Sequence, residues 1–581
     1  EGEKITTMSF KLESYSRYEK RKYFKLRPGK WTRCSYTFAI PRRQVMFTWL
    51  GEGVLVSGIQ LEEGKKATGY CGNPFGVELK TDSPDGVLFQ AGTEVNPRLV
   101  VRGPVNSLGK IKVSAIDFFY RKIYEHTFDF KIGADGDSVL KLPVDKLMPL
   151  GPLTIKCEVE PQGFPVYTDY LRLIKIKYAR NNYKQSCIHS IGKYGCHTYL
   201  SQVPESELSL LQKLGFGSIT YLAYHVKRPT AAEFDRIHKY GLNVAAVFSP
   251  NLLRAEVASS GRNDDRLIRI TGKEKLGPFP LNGKLIEKVP PEFQSRLEKA
   301  FCELAKKYPF INVWKGNNEP EGSFKLLKEH NYDEYAKFVT AICKGLKRGN
   351  PQSKFLVGGS CNIGREGRET SLKVLAACQK VAPEVKLDGI EIHTYRPFPE
   401  QPDVDEDIKA LLDGLEKTGY GKDFQIYFTE GAYYYPLNVP AWMGIAPWSS
   451  TTGSKDRYAA MATPTYDIGW AERLGAAMIM RYWLVCYKYA SSHQIKAGTP
   501  WGVFLLDGRI PYTWMIMSGA LANILGDATF KRDIRFAPGA RAYVFEDREK
   551  RPVAAVWYFN ENVERGKELP PSMTAAFKSK P

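Results

Sequence analysis

The sequence predicts a multidomain chain in which a (β/α)8 TIM barrel is flanked by β-sandwich domains. Three observations carry this. At 581 residues the chain is longer than one apolar core organises. Up to about residue 180, short β-type runs alternate with turn signals, the pattern of sandwich domains. Beyond about residue 181, strands alternate with helix-length amphipathic segments, the pattern of βαβ units around a parallel sheet.

Four segments follow in order. Residues 1–72 hold strands such as YFKLRPGKW, QVMFTWLG and VLVSGIQLEEG. Residues 73–180 hold RLVVRGPV, KIKVSAIDF and GPLTIKCEVE and read as an immunoglobulin-like β-sandwich with a spacer role. Residues 181–527 form the expected barrel. Its strands are read near 187–191, 217–224, 242–248, 310–317, 353–359, 389–395, 424–430 and 476–483, with helical patterns between them and a last helix near 513–525. Residues 528–581 return to short strands (RAYVFED, RPVAAVWYFN) and read as a C-terminal β-domain, whole or incomplete. Long connections at 249–290 and 431–456 follow the third and seventh strands, so they emerge on the face where barrels carry their chemistry.

Composition narrows the function. The net charge of +20 favours anionic partners. No zinc-ligand spacing, helix-turn-helix or RNP-type strand accompanies it, so nucleic acid is not expected. An anionic polysaccharide suits the charge, and so does a merely soluble basic surface. Arg254, Arg262, Arg266 and Arg269 in the first long loop have the same two readings. Aromatic residues at 13% suit sugar stacking or ordinary cores. The ten cysteines form no C-x-x-C pair, so neither a disulfide framework nor a metal site is expected. No run of 18 apolar residues exists to span a membrane. The chain starts at Glu1 without a signal-peptide pattern, which predicts a processed or truncated product.

The chemistry lies in two carboxylates. Glu319 closes the fourth strand within Trp314-Lys315-Gly316-Asn317-Asn318-Glu319-Pro320, and Glu430 closes the seventh within Tyr427-Phe428-Thr429-Glu430-Gly431. Both would project at the C-terminal rim. A pair of acids there matches glycosidic bond cleavage. One protonates the leaving oxygen, and the other, about 5–5.5 Å away in retaining enzymes, attacks the anomeric carbon. Either motif alone also reads as an ordinary strand end, the first with Pro opening a helix. No serine elbow, P-loop or H-E-x-x-H motif competes with them.

Asn-Glu-Pro on strand 4 with a Glu on strand 7 resembles the signature of the clan A glycoside hydrolases, the 4/7 superfamily, over about residues 185–525. The motifs of strands 6 and 7 lean toward family 39 and related branches. The stretch Gly29–Tyr70 is similar to the second half of a jelly-roll carbohydrate-binding module.

The clan resemblance implies retaining hydrolysis of β-glycosidic bonds, with Glu319 as acid/base, Glu430 as nucleophile and Asn318 bonding the sugar 2-hydroxyl. In Glu391-Ile392-His393-Thr394-Tyr395 it implies Tyr395 holding the nucleophile ionised and His393 near the acid/base, although both also read as packing. Trp483, read as the end of strand 8, would floor the −1 subsite or simply lie in the core. His189 and His225, near the ends of strands 1 and 2, could contact hydroxyls or be structural. Glu321 falls past the strand, and Asp388, at the barrel bottom, reads as a stability residue. No cofactor is required, and the expected partner is a carbohydrate, anionic or galactose-containing. The oligomeric state is open. The expected location is secreted or periplasmic. The rival expectation is a non-catalytic carbohydrate-binding protein on a glycosidase scaffold.

Overall fold

The structure is a computed structural model. It describes residues 6–14, 17–18, 22–26, 34, 46–50, 74–81, 88–90, 96–117, 121–143, 151–176, 189–194, 205–221, 229–250, 252–253, 286–360, 362–394, 399–401, 403–429, 468–490, 492–501, 504–505, 510–511, 513–526, 528–547 and 549–560.

Eight parallel strands close into a barrel: His189–Tyr194, Ser218–Tyr221, Asn243–Phe248, Val313–Lys315, Lys354–Gly358, Gly389–Glu391, Gln425–Phe428 and Gln494–Trp501. The eighth returns to the first, with Ala497 beside His189. A helix follows each strand, in order Glu205–Lys213, Ala231–His238, Pro291–Lys307, Tyr332–Gly349, Arg365–Val381, Val404–Lys417, Ile468–Ala490 and Thr513–Leu525. The helices start where the sequence supplies caps. Thr230 and Glu233 form a reciprocal capping box, and the side chains of Asn331 and Asp403 accept from the first turns that follow them. Their apolar stripes, such as Leu297, Phe301 and Leu304 or Phe338, Ile342 and Leu346, are buried in the main core.

Seven strands and seven of the eight main helices lie where the hydrophobic pattern puts them; the seventh helix, expected from about Arg457 to Leu474, is described as Ile468–Ala490. The eighth strand is a correction. Residues 476–483 belong to the helix Ile468–Ala490, and the strand is Gln494–Trp501. AAMIMRYW is nearly all apolar, and a continuous apolar run has no period by which strand and helix separate. This helix is buried on several sides at once, through Met478, Ile479, Tyr482, Trp483, Val485 and Cys486.

Before the barrel, Arg17–Tyr18, Thr6–Ser14, Lys22–Leu26 and Met46–Leu50 form one antiparallel sheet. A three-stranded sheet (Asp137–Lys141, Arg98–Arg102, Gly76–Lys80) and a five-stranded one (Leu88–Gln90, Tyr167–Ile176, Gly151–Pro161, Leu108–Ile116, Lys122–Lys131) follow. Alternate residues such as Leu99, Val101, Ile111, Val113, Leu153 and Ile155 are buried. Asp169 on the larger sheet accepts the backbone N–H of Leu79 on the smaller at 2.8 Å, which ties the two together. Most of the stretch resembling a jelly-roll module, and the arginines of the first long loop, lie outside the described residues.

After the barrel, Thr529–Ala537, Ala540–Glu546 and Pro552–Tyr558 form an antiparallel meander. Its Arg541, 8% exposed, reaches Asp403 (3.1 Å), Asp405 and Asp533 (2.6 Å). Asp405 also receives Lys488 (2.7 Å), the Tyr489 hydroxyl (2.6 Å) and the Tyr543 hydroxyl (2.7 Å). Burial works against its charge, but these donors outweigh that and hold its carboxyl below the usual range. The cluster joins the final sheet to the helices that follow strands 6 and 7. Among the described residues, no helix is long and apolar enough to cross a membrane.

Candidate active site

The fourth barrel strand is short. Trp314 turns out of the barrel and donates its indole N–H to Ser353 (3.1 Å), while Lys315 turns inward. The chain then runs through Gly316, Asn317 and Asn318 to Glu319, whose backbone is left-handed at φ 42°, ψ 58°. That conformation is costly for a residue with a side chain, and such positions gather at functional sites. Here Pro320 immediately opens a one-turn helix, and the Gly322 N–H bonds the Glu319 carbonyl at 3.1 Å, which fixes the bend. Glu319 is 36% exposed, so its carboxyl meets both the barrel interior and solvent.

The sixth strand supplies the partner. Glu391 and His393 are two residues apart and both fully buried. His393 Nδ1 lies 2.8 Å from Glu319 Oε1, and its Nε2 lies 2.6 Å from Glu391 Oε1. The His393 backbone N–H donates to the Ser360 carbonyl at 2.9 Å, which fixes the strand's continuation against strand 5. Close approach there requires glycine. A Cβ on Gly358 would overlap the Asn317 carbonyl oxygen, and one on Gly359 the Glu391 carbonyl oxygen.

Beneath these residues sits a buried charge pair. Lys315 Nζ and Glu391 Oε1 are 2.9 Å apart with both side chains 0% exposed. Lys315 also donates to Asn318 Oδ1 at 3.0 Å and to Thr429 Oγ1 at 3.4 Å, and lies 5.8 Å from the Phe248 ring centre. Thr429 in turn donates to Glu391. Burial alone would push the Glu391 carboxyl up. The charges of Lys315 and His393, with hydrogen bonds from His393 and Thr429, outweigh it and hold Glu391 at about 2.

The structure therefore brings together Asn318, Glu319 and His393. Thr429, the last described residue of the seventh strand's end, stands in the same network, and Glu430 follows it in sequence. Glu430, Tyr395 and His225 themselves lie outside the described residues. Trp483 is a correction: it sits inside a helix, fully buried and edge-on to Phe216 at 6.2 Å, with no face to offer a sugar. His189 begins the first strand. Glu321 lies in the one-turn helix after Glu319 and accepts the Ser360 hydroxyl at 2.6 Å, away from the His393 contact. Asp388, at the foot of strand 6, binds Lys347 (2.9 Å) and the Phe355 N–H (2.8 Å), a structural role.

Lys315, Glu391 and Thr429 carry no role in the sequence reading. The available signal was a charged residue at an inward position of an otherwise apolar strand, in FINVWKGN and GIEIHTY. Among the described residues, no group of His, Cys, Asp and Glu is arranged to hold a metal ion.

A scan against family models gives no match, and no curated protein matches the sequence. Solved structures do. The chain is similar to a family 39 glycoside hydrolase from the gut symbiont Bacteroides cellulosilyticus WH2, with a TM-score of 0.54 at 13% identity, over 83% of this chain and 90% of that one. At that identity the likeness speaks for the fold. Looser similarity extends to a glucosidase from Croceicoccus marinus (TM-score 0.35, 12% identity, 59% of this chain and 71% of that one). It also extends to β-glucuronidase 2 of Bacteroides uniformis (TM-score 0.34, 9% identity, 84% and 61%).

Proposed function

We propose that the chain is a retaining glycosidase that hydrolyses β-glycosidic bonds by double displacement, with Glu319 as acid/base and Glu430 as nucleophile. The observation that carries this reading is Glu319 itself. It is a carboxyl held in a strained left-handed turn at the C-terminal rim of strand 4, half open to solvent and bonded to the buried His393. In a parallel barrel strand 7 ends on the same rim, and Glu430 follows that end directly.

In the first step Glu430 attacks the anomeric carbon as Glu319 gives its proton to the departing oxygen. In the second, Glu319 takes a proton from water, which displaces Glu430 and releases the sugar. Asn318 bonds the sugar 2-hydroxyl, and Tyr395, two residues past His393, supports the charge on Glu430. The +20 charge favours an anionic glycan, with galactosides a second class to try, and a secreted or periplasmic setting suits such a substrate.

The test is a panel of aryl β-glycosides (galactoside, xyloside, glucoside, glucuronide) with three proteins. Wild type should cleave at least one. Glu430→Gln should lose on the order of 1,000-fold or more in kcat. Glu319→Ala should keep a fast first step with a dinitrophenyl leaving group and be accelerated by azide, which attacks the glycosyl intermediate without needing a base. Full activity in both variants, or no cleavage of any glycoside by wild type, would remove the proposal.

A further inference from the structure

The buried cation beneath Glu319 touches several of the residues on which glycoside cleavage would depend. We propose that Lys315 is the positioning residue of the site, fixing Asn318 and Thr429 directly and the proton of Glu319 through Glu391 and His393. What Glu319 does with that proton comes from the glycosidase reading above, on which this inference rests.

An ammonium group only donates hydrogen bonds. The atom of Asn318 that faces Lys315 is therefore its carbonyl Oδ1, at 3.0 Å, which leaves the amide NH2 away from the cation as a donor. Without the cation the amide is free to flip, since its two ends are nearly alike in shape. On the other side Lys315 reaches Thr429 at 3.4 Å, the residue immediately before Glu430.

The third arm is a relay. Glu391 stays ionised because Lys315 and His393 outweigh its burial. An ionised carboxylate only accepts, so the His393 nitrogen 2.6 Å away, Nε2, carries a hydrogen. That leaves Nδ1 facing Glu319 Oε1 at 2.8 Å. Two arrangements make this contact favourable. A carboxylic acid donates into a neutral ring, or an imidazolium donates to a carboxylate. Each holds one proton between the pair, and removing it sets a lone pair against a carboxylate.

The geometry thus holds one proton at the contact between His393 and Glu319, where a group that must donate needs it. Among the described residues, the charged and titratable groups around this ring include Glu319 and Lys315 from strand 4, Glu391 on strand 6 and Glu321 through Ser360. Tyr482 accepts from the neighbouring Thr394 at 3.3 Å. No bond other than O–H and N–H changes, and the proton lost to a leaving oxygen is regained from water.

A buried Lys–Glu pair that merely filled the barrel would leave the histidine indifferent, which makes the imidazole the readout. In full-length protein with ¹⁵N-labelled histidine, the His393 signals are identified by their loss in His393→Gln. Wild type should show Nε2 protonated from pH 5 to 9, with the ring titrating above its ordinary ~6.5. Lys315→Met/Glu391→Gln removes both charges at similar volume and should lower that titration by about one pH unit or more.

The same double variant should lose roughly 100-fold more activity on alkyl than on dinitrophenyl glycosides, because only the former need the proton. A neutral ring protonated on Nδ1 in wild type, an unchanged titration in the double variant, or an equal loss on both substrates overturns the positioning role. The histidine spectra need no substrate. A protein that shows the expected tautomer but cleaves no glycoside would therefore refute the glycosidase reading alone.

Discussion

Replacing the buried charges should change how stability depends on pH, and the size follows from Glu391. Its carboxyl moves from an ordinary 4.5 to about 2 in the fold. At ~1.4 kcal/mol per tenfold change in proton affinity, that gap is worth roughly 3 kcal/mol. A folded value below the unfolded one stabilises at pH above the unfolded value and loses that contribution as pH falls from about 4.5 toward 2. Lys315→Met/Glu391→Gln carries no titrating group at this point. Below the range in which His393 titrates, the stability difference between wild type and double variant should therefore shift against wild type by roughly 3 kcal/mol as pH falls from about 5 toward 2.

Carboxylates elsewhere, including Asp405, cancel in the difference. Lys315→Met alone should behave oppositely. It leaves a buried carboxylate short of its cation, at a cost of about 3–5 kcal/mol near neutrality. Part of that loss should return in acid as Glu391 takes up a proton. Urea denaturation followed by tryptophan fluorescence, with buried Trp314 as a reporter of the barrel, measures all three proteins. Parallel curves for wild type and double variant across pH 7 to 3 would refute the reasoning, because they would mean that Glu391 is not held ionised by its neighbours.

Other expectations follow from the same geometry. Because Glu319 is left-handed, Glu319→Gly should be more stable than Glu319→Ala by about 1 kcal/mol in chemical denaturation, although both lose the carboxyl. Trp483→Phe should leave KM for any cleaved glycoside unchanged and lower stability by about 1–3 kcal/mol, whereas a subsite floor would raise KM. Arg541→Met should cost about 3 kcal/mol by removing the buried guanidinium that Asp403, Asp405 and Asp533 share, and limited proteolysis should then cut first in the final sheet.

Most of the barrel was legible because its strands and helices obey different periods. A helix such as Tyr332–Gly349 buries Tyr335, Phe338, Val339, Ile342 and Leu346 at helical spacing, and Lys354–Gly358 follows as a short apolar run. Legibility failed where period failed. The apolar helix ending at Ala490 looked like a strand, and the true eighth strand, QIKAGTPW, is half polar, with Lys496 lying 5.0 Å from the Tyr427 ring centre. Of the site, Glu319 and His393 could be read from strand-end motifs. Lys315 and Glu391 could not, because each is explained only by the other. They are far apart in the chain, and it takes barrel closure to make a buried lysine and a buried glutamate into a pair.

The charge cluster around Arg541 bears on the order in which the protein can be completed. During translation, Asp403, Asp405 and Lys488 leave the ribosome before Arg541 does, so for that interval the helices after strands 6 and 7 hold two acids against one cation. The nascent barrel therefore has a reason to stay loose on that side until the last sheet arrives. The seam between those helices is sealed last, by the sheet that carries Arg541.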